Sequence, residues 1–202
     1  MDFSLTDEQN ELVKTLRAVL KRHADSAAVR SAADSESGYD PDLWRTLAEE
    51  VGVSSLAIPE EYGGAGYTWF ETGLALETLG YQLAPSPLLA SAVLAASAVL
   101  ESDEEEARGR LLPGIAEGSS IATLAWADER GVWSTTGSGI TAEPDGQGAG
   151  EWILEGTATL VLDGVSADTV IAVANTPEGV GLFEVLDPAA VWRVDTPAVD
   201  TT

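Results

Sequence analysis

The feature that most restricts the fold of this chain is a change of hydrophobic period near Gly118. Before Gly118, apolar residues recur at the three- and four-residue spacing of amphipathic helices. After it, short segments rich in Val, Ile, Thr and Trp are separated by turns such as Pro144-Asp145-Gly146 and Pro177-Glu178-Gly179. We therefore predict an α+β fold, with an all-α helical domain over residues 1–118 and an antiparallel β-barrel or sandwich domain over residues 119–202.

The helical half carries start signals for five helices. Each helix is expected to begin at residues that cap free backbone N–H groups, as in the capping box T-x-x-Q/E or an aspartate followed by proline. These signals are Thr6 with Gln9, Asp40 with Pro41, Thr68 with Glu71, Ser86 with Pro87, and Asp103. We expect Gly52 and Gly80 to end the second and third helices, and Leu111-Leu112-Pro113 to close the fifth.

The second half carries the alternation and the turn residues of short strands. The predicted strands are Ile121–Ala127, Gly139–Ala142, Glu151–Leu162, Thr169–Ala174, Gly181–Leu186 and Val191–Val194. No repeat of 20–50 residues is visible, so the pattern does not indicate a solenoid or a propeller.

Charge and composition exclude several classes of function. The net charge is −24, from 34 acidic and 10 basic residues, which is the wrong sign for a nucleic-acid-binding protein. There is no cysteine and only one histidine, His23, so neither a disulfide scaffold nor a structural zinc site is expected. His23 closes the first predicted helix, where a cation suits the helix dipole. A catalytic base is the alternative reading of His23.

The most apolar stretch, residues 83–100, is interrupted by two prolines. A bilayer span needs about 20 uninterrupted apolar residues, so we expect a buried or interface helix and no membrane span. The N-terminus shows no basic segment followed by an apolar run. We therefore expect a cytoplasmic protein.

Residues 57–69, AIPEEYGGAGYTW, raise the question of a phosphate-binding loop. A dinucleotide fingerprint requires a strand before the glycines, whereas a predicted helix precedes this loop. The glycines Gly63, Gly64 and Gly66 are explained most simply by backbone angles that a side chain forbids. The segment is therefore interpreted as a connection between two helices.

This connection also carries a family resemblance. Residues 47–82 resemble the N-terminal domain of the acyl-CoA dehydrogenases, in which a helix, a passage containing PEEYGGAG and a helix ending in EELG follow one another. The matching residues are Gly52, Pro59, Glu60, Glu61, Tyr62, Gly63, Gly64, Gly66, Glu77 and Gly80. The opening residues 2–21 are similar to the first helix of the family. Leu112-Pro113 followed by Gly118 is similar to the family's passage into its β domain.

The resemblance implies a three-part fold in which FAD lies between the β domain and a C-terminal four-helix bundle. It implies α,β-dehydrogenation of an acyl-CoA substrate: a glutamate of that bundle removes the α-proton, and the β-hydrogen leaves as hydride to the flavin. Electron-transfer flavoprotein or a similar acceptor, and homo- or hetero-oligomers of dehydrogenase subunits, are the implied partners. Since the sequence stops at Thr202, no catalytic residue is expected in it. We interpret it as a fragment of a longer protein, with a natural short subunit as the alternative.

The resemblance places flavin contacts in two segments. The family's first flavin motif, TEPxAGSD, corresponds to residues around Asp128, which puts Leu124, Trp126 and Ala127 at flavin-facing positions. A shift of one residue, with Glu129 at the glutamate position, is the alternative. The second motif, G-x-K-x-[WF]-I-[ST], corresponds to the segment from Gly156, with Leu160, Val161 and Leu162 at its last three positions. Both segments lack the family's side-chain hydroxyls, which resembles the degenerate flavin motifs of subunits in heteromeric members.

Ordinary packing is the alternative role for all of these residues. Trp126 is equally a core aromatic, and for Leu160 and Leu162 plain barrel packing is the favoured interpretation. By analogy with the family's pocket-lining helices, Leu89, Ala92 and Val93 line the acyl pocket, and bundle core is the alternative.

Three functions remain open at this point. They are a flavin-dependent acyl-CoA dehydrogenase, a non-catalytic partner subunit that binds flavin weakly or not at all, and a flavin monooxygenase or oxidase relative.

Overall fold

The computed structural model describes residues 4–134, 137–146 and 150–196 of the chain. Its helices are α1 Asp7–His23, α2 Ser26–Ala33, α3 Pro41–Arg45, α4 Trp69–Gln82, α5 Ala96–Leu100 and α6 Glu105–Glu117. The π-helical segment Thr46–Val51 extends α3, and a second one, Leu88–Ala95, precedes α5. Two 3-10 turns lie at Glu60–Tyr62 and Pro188–Ala190. The strands are β1 Ala122–Ala125, β2 Ile140–Pro144, β3 Trp152–Gly156, β4 Thr169–Thr176 and β5 Gly179–Glu184. The predicted α+β class is confirmed.

The predicted capping boxes are confirmed. Thr6 accepts a hydrogen bond from the backbone N–H of Gln9, whose side chain accepts one from the backbone N–H of Thr6. Thr68 and Glu71 cap α4 in the same reciprocal way. Gly52 ends the helical segment before the loop in the left-handed conformation, with φ of +80°, as its glycine predicts.

Three helices differ from the sequence-based expectation. Helix α4 does not end at Gly80 but continues to Gln82, with Leu83 as its left-handed cap. Helix α2, capped by the carboxylate of Asp25, was not predicted. Helix α6 does not close at Leu111-Leu112-Pro113 but continues through Pro113 to Glu117, and Gly118 forms its left-handed cap. The residue four positions before Pro113 is Gly109, which has no side chain to add to the crowding of the proline ring.

The sheet is mixed, and the prediction of an antiparallel sheet was wrong in this respect. Strands β2 and β3, and likewise β4 and β5, pair antiparallel, whereas β1 runs parallel to β4 along its length. A single parallel bridge joins Thr141 of β2 to Asn175 of β4. The whole β2–β3 hairpin lies between β1 and β4 in the sequence. The chain then returns to the sheet as β4, which lies beside β1 and runs in the same direction.

Two predicted strands also differ from the structure. The segment Glu151–Leu162 leaves the sheet at Gly156, whose backbone approaches that of Gly139 so closely that an added Cβ would lie 2.1 Å from the Gly139 carbonyl oxygen. Val191–Val194 is not a strand, because Arg193 donates hydrogen bonds to the carbonyls of Gly164 and Val165, at 2.7 and 3.0 Å, and lies over that turn. Residues 197–202 of the predicted β domain lie outside the described residues.

The helices and part of the sheet share the larger of two hydrophobic clusters, and the second cluster, Ile140, Ala142, Ala172 and Ala174, lies within the sheet. The fully buried side chains of the larger cluster include Leu16, Leu47, Leu88 and Leu112 from the helical half. The sheet and its flanking turns contribute Ile121, Ala122, Ala167 and Ile171 to the same cluster. Among the described helices, none has the length and apolar character that crossing a bilayer requires.

The glycine-rich loop is tied to its own backbone and to α6. The N–H groups of Ala65, Gly66 and Tyr67 donate to the carbonyls of Ser55, Ile58 and Leu56, at 2.9, 2.9 and 2.8 Å. The Tyr62 hydroxyl donates to Glu105 at 2.8 Å and so holds the loop against α6. Because these amides are engaged within the loop, it serves as a connection and offers no phosphate cradle.

Candidate functional site

The structure brings the two predicted flavin segments side by side. An isolated antiparallel bridge joins Ala127 to Thr159, and the Thr159 N–H donates to the Ala127 carbonyl at 3.2 Å. The Thr159 hydroxyl donates to the Asp128 carbonyl at 2.6 Å. One strand position before Leu124, the hydroxyl of Thr123 donates to the Leu162 carbonyl at 2.6 Å. Sequence reasoning missed Thr123, since its partner is distant in the chain.

The six predicted flavin-facing residues differ in exposure. Ala127 is buried, and Leu124, Trp126 and Val161 are half-buried. Leu160 and Leu162 are open to solvent, with 70% and 45% of their surface exposed. These two leucines do not pack inside a barrel, so the predicted alternative of plain barrel packing is not what the structure shows for them.

The backbone around these leucines is strained. Leu160 has a φ of +54° and Asp163 a φ of +52°, in the left-handed region that residues with a Cβ avoid. Such strain persists where the surrounding structure imposes it, and it is concentrated at ligand-binding segments. Burial also raises the pKa of the Asp163 carboxyl to about 6.

A pair of tryptophans, one half-buried and one exposed, flanks the turn against which Leu160 packs. The rings of Trp126 and Trp133 lie 5.4 Å apart at an angle of 60°, and Trp133 is 63% exposed. Leu160 packs over Gly131, where an added Cβ would lie 2.9 Å from a Leu160 methyl group. We call Trp126, Trp133, Leu160 and Leu162 the apolar face. Trp133 was not predicted, although an exposed tryptophan in a turn is itself a signal of binding.

The carboxylate beside the apolar face is engaged in its own turn. Asp128 accepts hydrogen bonds from the backbone N–H groups of Val132 and Arg130, at 2.8 and 2.9 Å. These bonds hold the pKa of the Asp128 carboxyl below its ordinary value, and the bond from Val132 has the largest effect. Asp128 is therefore held as an anion by its own turn. In the described ranges, no three His, Asp or Glu side chains are grouped closely enough to hold a metal ion.

The predicted acyl-binding residues lie on the π-helical segment Leu88–Ala95. Leu89 is 41% exposed and Val93 is half-buried, whereas Ala92 packs in the core with 3% exposure. The structure therefore places Leu89 and Val93 where a ligand can reach them and Ala92 beneath them. Ser91, which sequence reasoning missed, accepts a hydrogen bond from the backbone N–H of Ala122 at 3.0 Å. π-Helical turns are frequent at functional sites.

The chemistry of the apolar face fits one side of a flavin ring. Isoalloxazine is flat and aromatic, and Trp126, Trp133 and the two leucines supply the apolar contacts that its face requires. Ala127 and Leu162 offer no side-chain hydroxyl to the polar edge of such a ring, so main-chain groups would have to bind it. Within the described residues, the N–H groups of Trp126, Leu160 and Leu162 donate to no other backbone group.

Comparison with known proteins identifies relatives over both halves. Residues 6–119 match the family model described as "Acyl-CoA dehydrogenase, N-terminal domain". Acyl-CoA dehydrogenase IpdE2 of Mycolicibacterium smegmatis is 42% identical over 125 residues, which cover 62% of this chain and 39% of that protein. Acyl-CoA dehydrogenase FadE27 of Mycobacterium tuberculosis is 31% identical over 183 residues, 91% of this chain and 47% of that protein.

Solved structures show the same relationship. The Tcur3481-Tcur3483 steroid ACAD G363A variant superposes with a TM-score of 0.77 at 37% identity, over 89% of this chain and 48% of that chain. The ChsE4-ChsE5 complex from Mycobacterium tuberculosis gives a TM-score of 0.80 at 31% identity, over 93% of this chain and 49% of that chain. The chain thus spans about half the length of these structures, and less than half of the curated relatives named above.

Proposed function

Since this chain belongs to the acyl-CoA dehydrogenase family, we propose that it contributes the acyl-binding helix and one wall of the flavin site to an acyl-CoA dehydrogenase. The enzyme oxidises an acyl-CoA thioester between its α and β carbons, and FAD, when bound, accepts the hydride. As the family resemblance implies, the catalytic base comes from outside residues 1–202; Asp128, next to Ala127, is held by its own turn.

The observation that carries this proposal is the joint position of the two flavin segments. The bridge from Ala127 to Thr159 puts Trp126 and Leu160 on neighbouring stretches of chain, and both are backed by the bond from Thr123 to Leu162. The resulting surface is apolar and exposed, as one side of a ring-binding site must be before the other side covers it.

A second role has its own supporting observation: this chain is a partner subunit that binds flavin weakly or not at all. Ala127 and Leu162 offer no hydroxyl to the ring, and one lost hydrogen bond costs about 1–3 kcal/mol, or roughly a tenfold to hundredfold loss of affinity. A relative at 31% identity was solved as the ChsE4-ChsE5 complex. We propose that a sister dehydrogenase subunit then holds the flavin.

The substrate is proposed from the same neighbourhood. A relative at 37% identity carries the description of a steroid ACAD. Leu89, which is exposed, and Val93, which is half-buried, form an aliphatic strip with no charged residue between them, which suits a ring-bearing acyl group. Electron-transfer flavoprotein or a similar protein serves as acceptor, and the assembly works in the cytoplasm as an oligomer of dehydrogenase subunits.

The direct test is the colour of the full-length protein, purified alone and together with a sister subunit. We expect a flavin absorbance band in the assembly, and we expect a steroid-type acyl-CoA to bleach that band in the absence of oxygen. A colourless assembly that stays colourless with added FAD contradicts the dehydrogenase proposal. Bleaching only in the presence of the sister subunit supports the partner role.

Restoring a hydroxyl tests the assignment of the second flavin segment. Leu162→Ser places a donor at an exposed position, so folding is unaffected and FAD affinity should rise about tenfold, which corresponds to one hydrogen bond of about 1.4 kcal/mol. The measurement is a fluorescence titration of FAD into the full-length assembly. Leu186→Ser is the matched control, since Leu186 is 79% exposed and lies outside both segments. Equal affinities for the two variants argue against the assignment of Leu162.

A further inference from the structure

Strand β1 contacts both proposed binding elements through neighbouring residues. The backbone N–H of Ala122 donates to Ser91 in the π-helical segment Leu88–Ala95, at 3.0 Å. The hydroxyl of the next residue, Thr123, donates to the carbonyl of Leu162, at 2.6 Å. Ser91, Ala122 and Thr123 are each at most 1% exposed. The bond to Ser91 is buried, and the bond from Thr123 is partly buried.

The bond to Ser91 satisfies a group that the sheet does not. β1 stands at the end of the described sheet and pairs only with β4, through the register Ala122 with Thr169. A buried backbone N–H without a partner costs about 1–3 kcal/mol. The bond to Ser91 therefore stabilises the end of β1, and it fixes the position of the segment Leu88–Ala95 relative to this strand.

The position of Ser91 relates this bond to the acyl strip. Leu89 and Val93 flank Ser91 at two residues on either side and reach solvent, whereas Ser91 faces the core. One rigid helical segment thus carries the exposed strip on one side and the attachment to β1 on the other. Any shift of β1 relative to this segment changes the distance between Leu89 and the apolar face.

The bond from Thr123 acts on the other element. Leu162 lies two residues after the strained residue Leu160, so its carbonyl lies in a stretch that needs outside support. The Thr123 hydroxyl provides that support directly from β1.

We propose that Ser91 and Thr123 are positioning residues that attach the acyl-facing helix segment and the flavin-facing segment 160–162 to the same strand, β1, and thereby set the distance between acyl group and flavin. This inference rests on the proposed function for its catalytic consequence. Neither residue touches substrate or flavin. Since a misplacement of about 1 Å costs up to about a hundredfold in rate, loosening either attachment should lower kcat.

The test compares variants that remove or keep each hydroxyl in the full-length assembly. Ser91→Ala and Thr123→Val remove one bond each, Thr123→Ser keeps its bond, and Ser97→Ala is the matched control. Ser97 lies in the adjoining helix α5, and its hydroxyl bonds only the Val93 carbonyl of the preceding turn. We expect Ser91→Ala and Thr123→Val to lower kcat about tenfold with KM changed by less than about twofold. Thr123→Ser and Ser97→Ala should stay near wild-type kcat.

If Ser91 and Thr123 have a purely structural role, the variants should show a different pattern of kcat and melting temperature. If Thr123→Ser falls as far as Thr123→Val, or if Ser97→Ala falls as far as Ser91→Ala, the proposal is overturned. It is likewise overturned if Ser91→Ala and Thr123→Val lower the melting temperature while kcat is unchanged.

Hydrogen–deuterium exchange provides a readout that does not depend on activity. Ser91→Ala should speed exchange in peptides covering residues 120–126, and Thr123→Val in peptides covering residues 158–165, whereas Ser97→Ala should change neither. Unchanged exchange in the first two variants contradicts the attachment itself. An assembly that shows these exchange changes but never oxidises an acyl-CoA contradicts the proposed function and leaves the attachment standing.

Discussion

Gly64→Ala is expected to destabilise the protein by about 3 kcal/mol or more. An added Cβ at this position would lie 1.8 Å from the carbonyl oxygen of Ile58 and 2.3 Å from its carbonyl carbon. That carbonyl cannot move away without losing its bond from the N–H of Gly66, at 2.9 Å. The side chain of Ile58 is itself fully buried in the core. In a chain of this length the loss corresponds to a fall of roughly 10 °C in melting temperature.

The matched control is Gly73→Ala in helix α4. An added Cβ at Gly73 meets nothing within 4 Å, and the residue lies inside a helix. Alanine should therefore raise stability by about 0.5–1 kcal/mol. Thermal unfolding followed by circular dichroism measures both variants. An unchanged melting temperature for Gly64→Ala would show that the loop has another conformation.

Asp163→Asn is expected to stabilise the protein by about 2 kcal/mol at neutral pH and to remove a pH dependence. Burial raises the pKa of this carboxyl from 3.8 to about 6. A raised pKa means that the folded state binds the proton more tightly than the unfolded chain, so stability falls as pH rises from about 4 to about 6. Two pKa units correspond to roughly 3 kcal/mol, and partial exposure of the side chain reduces this to about 2 kcal/mol.

Asparagine keeps the shape of Asp163 and tolerates its left-handed backbone, so the substitution changes charge alone. The control is Glu143→Gln, which removes one negative charge from an exposed strand position and so corrects for the overall charge of −24. The measurement is urea unfolding of the three proteins between pH 4 and 8. The gain should grow from pH 4 to pH 6 and stay level above it. A gain that is the same at every pH, or no larger than that of Glu143→Gln, is inconsistent with a penalty from buried charge.

The sequence predicts those parts of the fold that depend on neighbouring residues. The caps at Thr6 and Thr68 and the left-handed Gly52 are local devices, so their residues suffice to place them. Helix α2 was not predicted although Asp25 caps it, because its run of eight residues is short and consists mainly of alanine and serine. The parallel pairing of β1 with β4 depends on contacts between distant segments, which alternation within a strand cannot reveal.

In the candidate site, too, features that depend on distant segments could not be predicted from the sequence. The run from Thr157 to Leu162 has the composition of a strand, yet Leu160 adopts a left-handed backbone because Gly131 and Thr123 hold the segment from elsewhere in the chain. Ser91 reads as an ordinary small residue on a helix until Ala122 is placed beside it. The family resemblance predicts where the two flavin segments lie, but only the tertiary structure shows which of their side chains face outward.

The continuous core has a consequence for protein engineering. Leu88 and Leu112 of the helical half belong to one buried cluster with Ile121 and Ile171 of the sheet half. The change of hydrophobic period at Gly118 therefore does not separate two parts that unfold independently. Calorimetry of this portion of the protein should show one transition for both halves. A chimaera that exchanges the helical half with a relative must therefore transplant the sheet residues that complete its core, or it will create cavities at the graft.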